Sequence, residues 1–114
     1  MRYATSRGWR SCVFNRRGHA GLYLTSPSFN IVGDPRDTTA QVERVRQRFP
    51  DSFLAMVGIS AGCGSLLSYL GSQAATTPVS VSAALCPAYD IERAFRSENI
   101  NLVDPWFCIL VIVD

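Results

Sequence analysis

Ser52-Phe-Leu-Ala-Met-Val57 runs without a break into Gly58-Ile-Ser60-Ala-Gly62, and Leu66, Leu67 and Leu70 follow before Gly71. The first run is apolar, of strand length and without in/out alternation, which predicts a buried strand. The leucine spacing predicts a helix that ends at Gly71. Between the two lies a junction with a glycine two positions either side of a serine. A strand-to-helix hairpin that tight forces strained dihedrals on the residue at its tip. Its neighbours must be nearly free of side chains so that strand and helix can approach. The hydroxyl of Ser60 is then expected above the carboxyl edge of a sheet, where open α/β sheets hold ligands. Ala61 would begin the helix, with its N–H aimed the same way and able to donate to a developing oxyanion, assisted by the helix dipole. Gly64 adds a further small residue to the helix face that crosses the sheet.

Working outward, Asp34-Pro35 predicts a helix start, with an acidic cap, proline at the first position and Asp37 in the first turn. Val42, Val45 and Phe49 mark its inner face, Glu43, Arg44, Arg46 and Arg48 its wet one, and Pro50 its end. Upstream, Tyr3 to Trp9 reads as a frayed helix end stopped by Gly8, and Ser11-Cys-Val-Phe-Asn15 as a short buried strand. Residues 16–33, with Gly18, Gly21, Pro27 and Gly33, read as a long loop. Downstream, Val79 to Cys86 is a third buried strand closed by Pro87. Unalternating strands separated by helices predict an α/β fold, a parallel sheet flanked by helices on both faces. Three strands and two connecting helices are too few for a free-standing sheet of that kind, since both flanks would be unpaired apolar edges. The expectation is the central, incomplete part of a larger domain over residues 1–87, followed by a divergent or truncated tail over 88–114. Phe107-Cys-Ile-Leu-Val-Ile-Val113 has two readings: a terminal strand added to the sheet, or a tail foreign to the domain.

Composition limits the alternatives. A chain of 114 residues, 47% apolar and 18% charged with a net charge of +2, has too much apolar content for bulk disorder and suits a single small globular unit. No stretch approaches the roughly 18–20 apolar residues of a membrane span, and Met1-Arg-Tyr-Ala-Thr-Ser-Arg7 lacks a signal-peptide core. All eleven basic residues are Arg; residues 1–50 carry a balance of +6 and residues 51–114 one of −4. The arginines are spread over a loop and a helix surface with no nucleic-acid reading motif, so solvated surface is expected and no nucleic-acid partner. Cys12, Cys63, Cys86 and Cys108 lie 51, 23 and 22 residues apart, and His19 is the only histidine. That inventory supplies no zinc site, so no metal or other cofactor is expected. Three of the four cysteines sit in apolar runs, and free thiols in an intracellular, reducing compartment are the expectation.

At Gly58-Ile-Ser60-Ala-Gly62 the chain resembles the α/β-hydrolase superfamily. More narrowly, it is similar to lipid esterases and lipases that include membrane-anchored α/β-hydrolase-domain proteins and medium-chain fatty-acid ester hydrolases. Gly8-Trp9, Val13-Phe14-Asn15-Arg16-Arg17-Gly18, Leu24-Thr25-Ser26-Pro27 and Leu66-Leu67-Ser68-Tyr69-Leu70-Gly71 carry the resemblance collinearly over roughly residues 3–87. Two small departures occur: Ala61 stands where relatives commonly have a bulkier residue, and Cys63 interrupts a glycine pair. Both should leave the bend buildable.

The resemblance implies a serine carboxylic-ester hydrolase of acylglycerol-lipase or short- to medium-chain esterase type. Ser60 would be the nucleophile, the Ala61 N–H an oxyanion donor, and a lipid or small acyl ester the substrate. In this fold the acid and then the histidine follow the serine in sequence. No histidine follows Ser60, and His19 precedes it. Asp90 comes just after a strand and is a weak candidate for the acid; Glu92, Glu98, Asp104 and Asp114 are placed no better. The second oxyanion donor, and any membrane anchor of the kind full-length relatives often carry, would lie outside these residues. The alternative is a non-catalytic truncated pseudoenzyme or an interaction fragment.

Overall fold

The computed structural model describes residues 2–15, 17–18, 20–28, 33–87, 89–90, 92 and 108–113. A short helix α1 (Arg2–Ser6) leads to β1 (Arg10–Phe14), helix α2 (Pro35–Arg48), strand β2 (Leu54–Ile59) and helix α3 (Ala61–Gln73). A 3-10 turn over Ala74–Thr76, β3 (Val81–Leu85) and β4 (Cys108–Val113) follow. The α/β class expected from the sequence is the one observed.

The helix ends are built from local chemistry. Behind α1, Gly8 takes φ +82°, and the N–H groups of Gly8 and Trp9 reach back to the carbonyls of Thr5 and Ala4, both at 3.0 Å. That pairing is a Schellman cap, and Gly8 is its left-handed residue. Asp34 caps α2, its carboxylate accepting from the Arg36 N–H at 3.0 Å, with Pro35 in the first turn. At the other end of α2 the Arg46 guanidinium donates to the carbonyls of Pro50 (2.7 Å), Ser52 (2.9 Å) and Pro78 (2.9 Å). This one side chain ties the chain entering β2 to the chain entering β3.

The strands lie in the order β1-β4-β2-β3. The three expected strands all run the same way: β2 and β3 pair in parallel, and β1 has their direction without being β2's neighbour in the sheet. Between them sits β4, antiparallel to both, with Val111 opposite Cys12 on one side and Met56 on the other. The sheet is therefore mixed rather than all-parallel. The late apolar run does join the sheet as an added strand, the first of its two readings, and takes an interior slot. A run so uncharged is suited to an interior slot, where both rows of backbone groups find partners and neither is left open.

The side chains of alternate positions face α2 and α3. Leu54, Met56, Val111 and Val113 meet Val42, Val45, Leu66 and Tyr69 in one cluster, each 5% exposed or less, with Cys12, Phe14 and Phe49 packed against it. Tyr69 is the largest buried side chain, and its hydroxyl accepts from Thr77 Oγ1 at 3.0 Å. The opposite face differs from the expectation of cover on both sides. There Val13, Ile59, Val81 and Leu85 remain substantially exposed among the described residues. Leu67 is also exposed, whereas Leu66 and Tyr69, three residues apart and so on one face of α3, are buried; the helix runs past its expected end at Gly71 to Gln73.

Candidate active site at the β2–α3 bend

β2 ends at Ile59 and α3 begins at Ala61, so Ser60 alone makes the turn. Its backbone sits at φ 52°, ψ −120°, a conformation that costs an L-residue on the order of 1–3 kcal/mol. Three contacts hold it there. The Ser60 N–H donates to the Leu85 carbonyl at 3.0 Å, extending the β2–β3 pairing one step past the strand. The Ser60 carbonyl accepts from the Cys63 N–H at 2.9 Å, which closes the first turn of α3. The helix itself is anchored by Leu66 and Tyr69 in the core and by the Ser68 hydroxyl, which donates to the Gly33 carbonyl.

Glycine at 58 is a steric necessity. A Cβ there would lie 2.8 Å from the Gly62 carbonyl oxygen and 2.9 Å from the Cys63 Cα, both backbone atoms that cannot swing aside. Gly58, Gly62 and Cys63 are all buried, whereas Ser60 is exposed. Serine is a favoured helix N-cap because its hydroxyl folds back to the helix amides. Ser60 makes no such bond and is exposed, so its hydroxyl is not committed to the helix. Ala61, as the first helical residue, carries an N–H with no acceptor inside the helix. An exposed hydroxyl followed by an amide with no acceptor inside its helix supplies the two kinds of group, nucleophile and hydrogen-bond donor, that acyl transfer uses.

Asp90 lies past the end of β3 and is exposed. His19, Glu98, Asp104 and Asp114 fall outside the described residues, and so does the side chain of Cys108. The thiols depart from the expected burial at Cys86, while Cys12 is half-buried. Cys86, in an apolar run, is exposed at the end of β3 with φ 55°, next to the Leu85 carbonyl that receives the Ser60 amide. Cys63, in the Gly-rich junction, is 1% exposed. Its Sγ lies 3.2 Å from the Gly58 carbonyl and 3.2 Å from the Leu85 carbonyl. Sequence reading missed the part played by the end of β3, because nothing local to Leu85 or Cys86 reveals which strand end lies beside Ser60.

The fold and the bend define an α/β protein with a serine held at the carboxyl edge of its sheet. No family model matches the chain, and no solved structure matches it significantly. Curated proteins do. The chain is 38% identical over 94 residues to Protein ABHD15 of Homo sapiens, covering 82% of this chain and 20% of that protein. It is 36% identical over 88 residues to Embryogenesis-associated protein EMB8 of Picea glauca (77% of this chain, 19% of the relative). With Phospholipase ABHD3 of Mus musculus it shares 36% over 76 residues (67% and 18%). The chain belongs with the α/β-hydrolase-domain proteins and spans about a fifth of the length of the curated relatives it matches. Among the described residues no helix is long and apolar enough to cross a membrane.

Proposed function

We propose that the chain carries the nucleophile of a serine carboxylic-ester hydrolase, and that Ser60 is that nucleophile. The observation behind this reading is the exposed serine at φ 52°, ψ −120° between β2 and α3, with a hydroxyl that does not cap its helix. In the reaction Ser60 Oγ attacks the ester carbonyl carbon and its proton passes to a base. The Ala61 N–H donates to the oxyanion, the alcohol leaves, and water then hydrolyses the acyl-enzyme. Lipid esters are the substrate class we favour. The support is the company the chain keeps: its relatives include a phospholipase, a monoacylglycerol lipase and a medium-chain fatty acid ethyl ester synthase/esterase. No resident cofactor enters this chemistry.

A serine hydroxyl without a base is a poor nucleophile, and no histidine follows Ser60 in these 114 residues. The 114-residue chain by itself is therefore expected to have little or no esterase activity. In a protein that carries a downstream acid and histidine, a fluorophosphonate probe should label Ser60 and fail to label Ser60→Ala. Absence of Ser60-dependent labelling there would overturn the assignment.

The second reading is a non-catalytic interaction fragment, supported by the open apolar face at Val13, Ile59, Val81 and Leu85. Size-exclusion chromatography separates the two: a compact, cooperatively melting monomer counts against an interaction fragment.

A further inference from the structure

We infer that Cys63 is a positioning residue for Ser60, acting through the Leu85 carbonyl; the inference rests on the reading of Ser60 as the nucleophile. Three groups converge on the end of β3. The Leu85 carbonyl accepts the Ser60 N–H at 3.0 Å, and the Cys63 thiol lies 3.2 Å from the same oxygen. A carbonyl oxygen has two lone pairs, so both donors can be accepted together. The thiol also lies 3.2 Å from the Gly58 carbonyl, and the Cys63 N–H holds the Ser60 carbonyl at 2.9 Å. One residue on α3 thus touches the limb entering the bend, the tip of the bend and the neighbouring strand.

The physical consequence concerns the orientation of Leu85. It is half exposed and ends an edge strand, and Cys86 beyond it adopts φ 55°, so little else ties its carbonyl down. A thiol that alternates its single proton between two carbonyls keeps the Leu85 oxygen aimed inward, where the Ser60 amide needs it. That amide bond is one of the restraints holding the tip in its strained conformation. At 1% exposure Cys63 is shielded from solvent reagents, so its contribution here is geometric and not nucleophilic.

The test reads the clasp directly in the full 114-residue chain. Amide hydrogen exchange at Ser60 is compared with that at Met56, in the middle of β2, for the wild type, Cys63→Ala and Cys63→Ser. In Cys63→Ala the Ser60 amide should exchange about tenfold faster while Met56 is unchanged, as for loss of one restraint near a hydrogen bond. Cys63→Ser, which keeps a donor, should restore most of the protection. Ser60 exchange that stays at the wild-type rate, that rises only in step with Met56, or that Cys63→Ser does not restore overturns the inference. Fluorophosphonate labelling is scored separately in the protein that carries the downstream acid and histidine. The expected exchange pattern without Ser60-dependent labelling keeps the clasp and removes the nucleophile.

Discussion

Gly58 and Cys63 approach so closely that a Cβ on Gly58 would sit 2.9 Å from the Cys63 Cα and 3.0 Å from its backbone nitrogen. Strand and helix are in backbone contact at this point, and the bend exists only while nothing separates them. Gly58→Ala should therefore destabilise the fold by about 1–3 kcal/mol, the cost of overpacking against atoms that cannot rotate away. Thermal melting checks this; a variant melting at the wild-type temperature would show that the bend is looser than described.

Ser60 invites the opposite substitution. Its φ of 52° is costly for an L-residue but not for glycine. Ser60→Gly is expected to raise stability by about 0.5–1 kcal/mol, after allowance for the extra freedom glycine gains in the unfolded chain. Ser60→Ala keeps the strain and should stay within about 0.5 kcal/mol of the wild type. Chemical denaturation of both variants separates the two values. A stability gain when the Cβ is removed, but not when the hydroxyl alone is, is the signature of strain kept for a purpose other than folding.

Much of this local geometry was legible beforehand. Asp34-Pro35, Gly8 and the glycines at 58 and 62 each act on neighbours within a few residues, so their consequences can be read in order along the chain. The position of β4 could not be read that way. An uncharged run of β-prone residues says that it will be buried in a sheet, but not which strands it will separate, nor in which direction it will run. The Cys63–Leu85 contact was hidden for the same reason: it spans the pairing of β2 with β3, and pairing partners are not encoded locally.

Arg46 should prove a stabilising cross-link rather than a solvated surface charge. Removing its donors in Arg46→Met leaves the carbonyls of Pro50, Ser52 and Pro78 to find water, at a cost of about 1–2 kcal/mol. Arg46→Lys, with a compact ammonium in place of a fork, should recover only part of this. Equal melting temperatures for Arg46→Met and the wild type would refute the assignment.

Acid should loosen the start of α2 in a defined interval. The side-chain hydrogen bond from Arg36, joined by the Arg36 backbone N–H, holds the Asp34 carboxyl at about 2, well below the usual carboxylate range. Because the folded-state value is depressed, this contribution to stability is complete above about pH 4 and is lost as the pH falls toward 2. Asp34→Asn should lose stability at neutral pH and flatten the profile over that interval. Equilibrium unfolding from pH 6 to pH 2 checks the sign.

Ile112 tests whether β4 is interior. Proline there interrupts hydrogen bonding in a strand with neighbours on both sides, and should abolish cooperative unfolding. A folded Ile112→Pro variant would place β4 at an edge instead.

The interior seat of β4 carries a consequence for how the protein is made. On a ribosome, the strand leading to Ser60 emerges dozens of residues before its antiparallel neighbour does. Until that late segment arrives, the flank of β2 that β4 will cover stays bare, so the order of synthesis leaves an apolar strand edge open during translation.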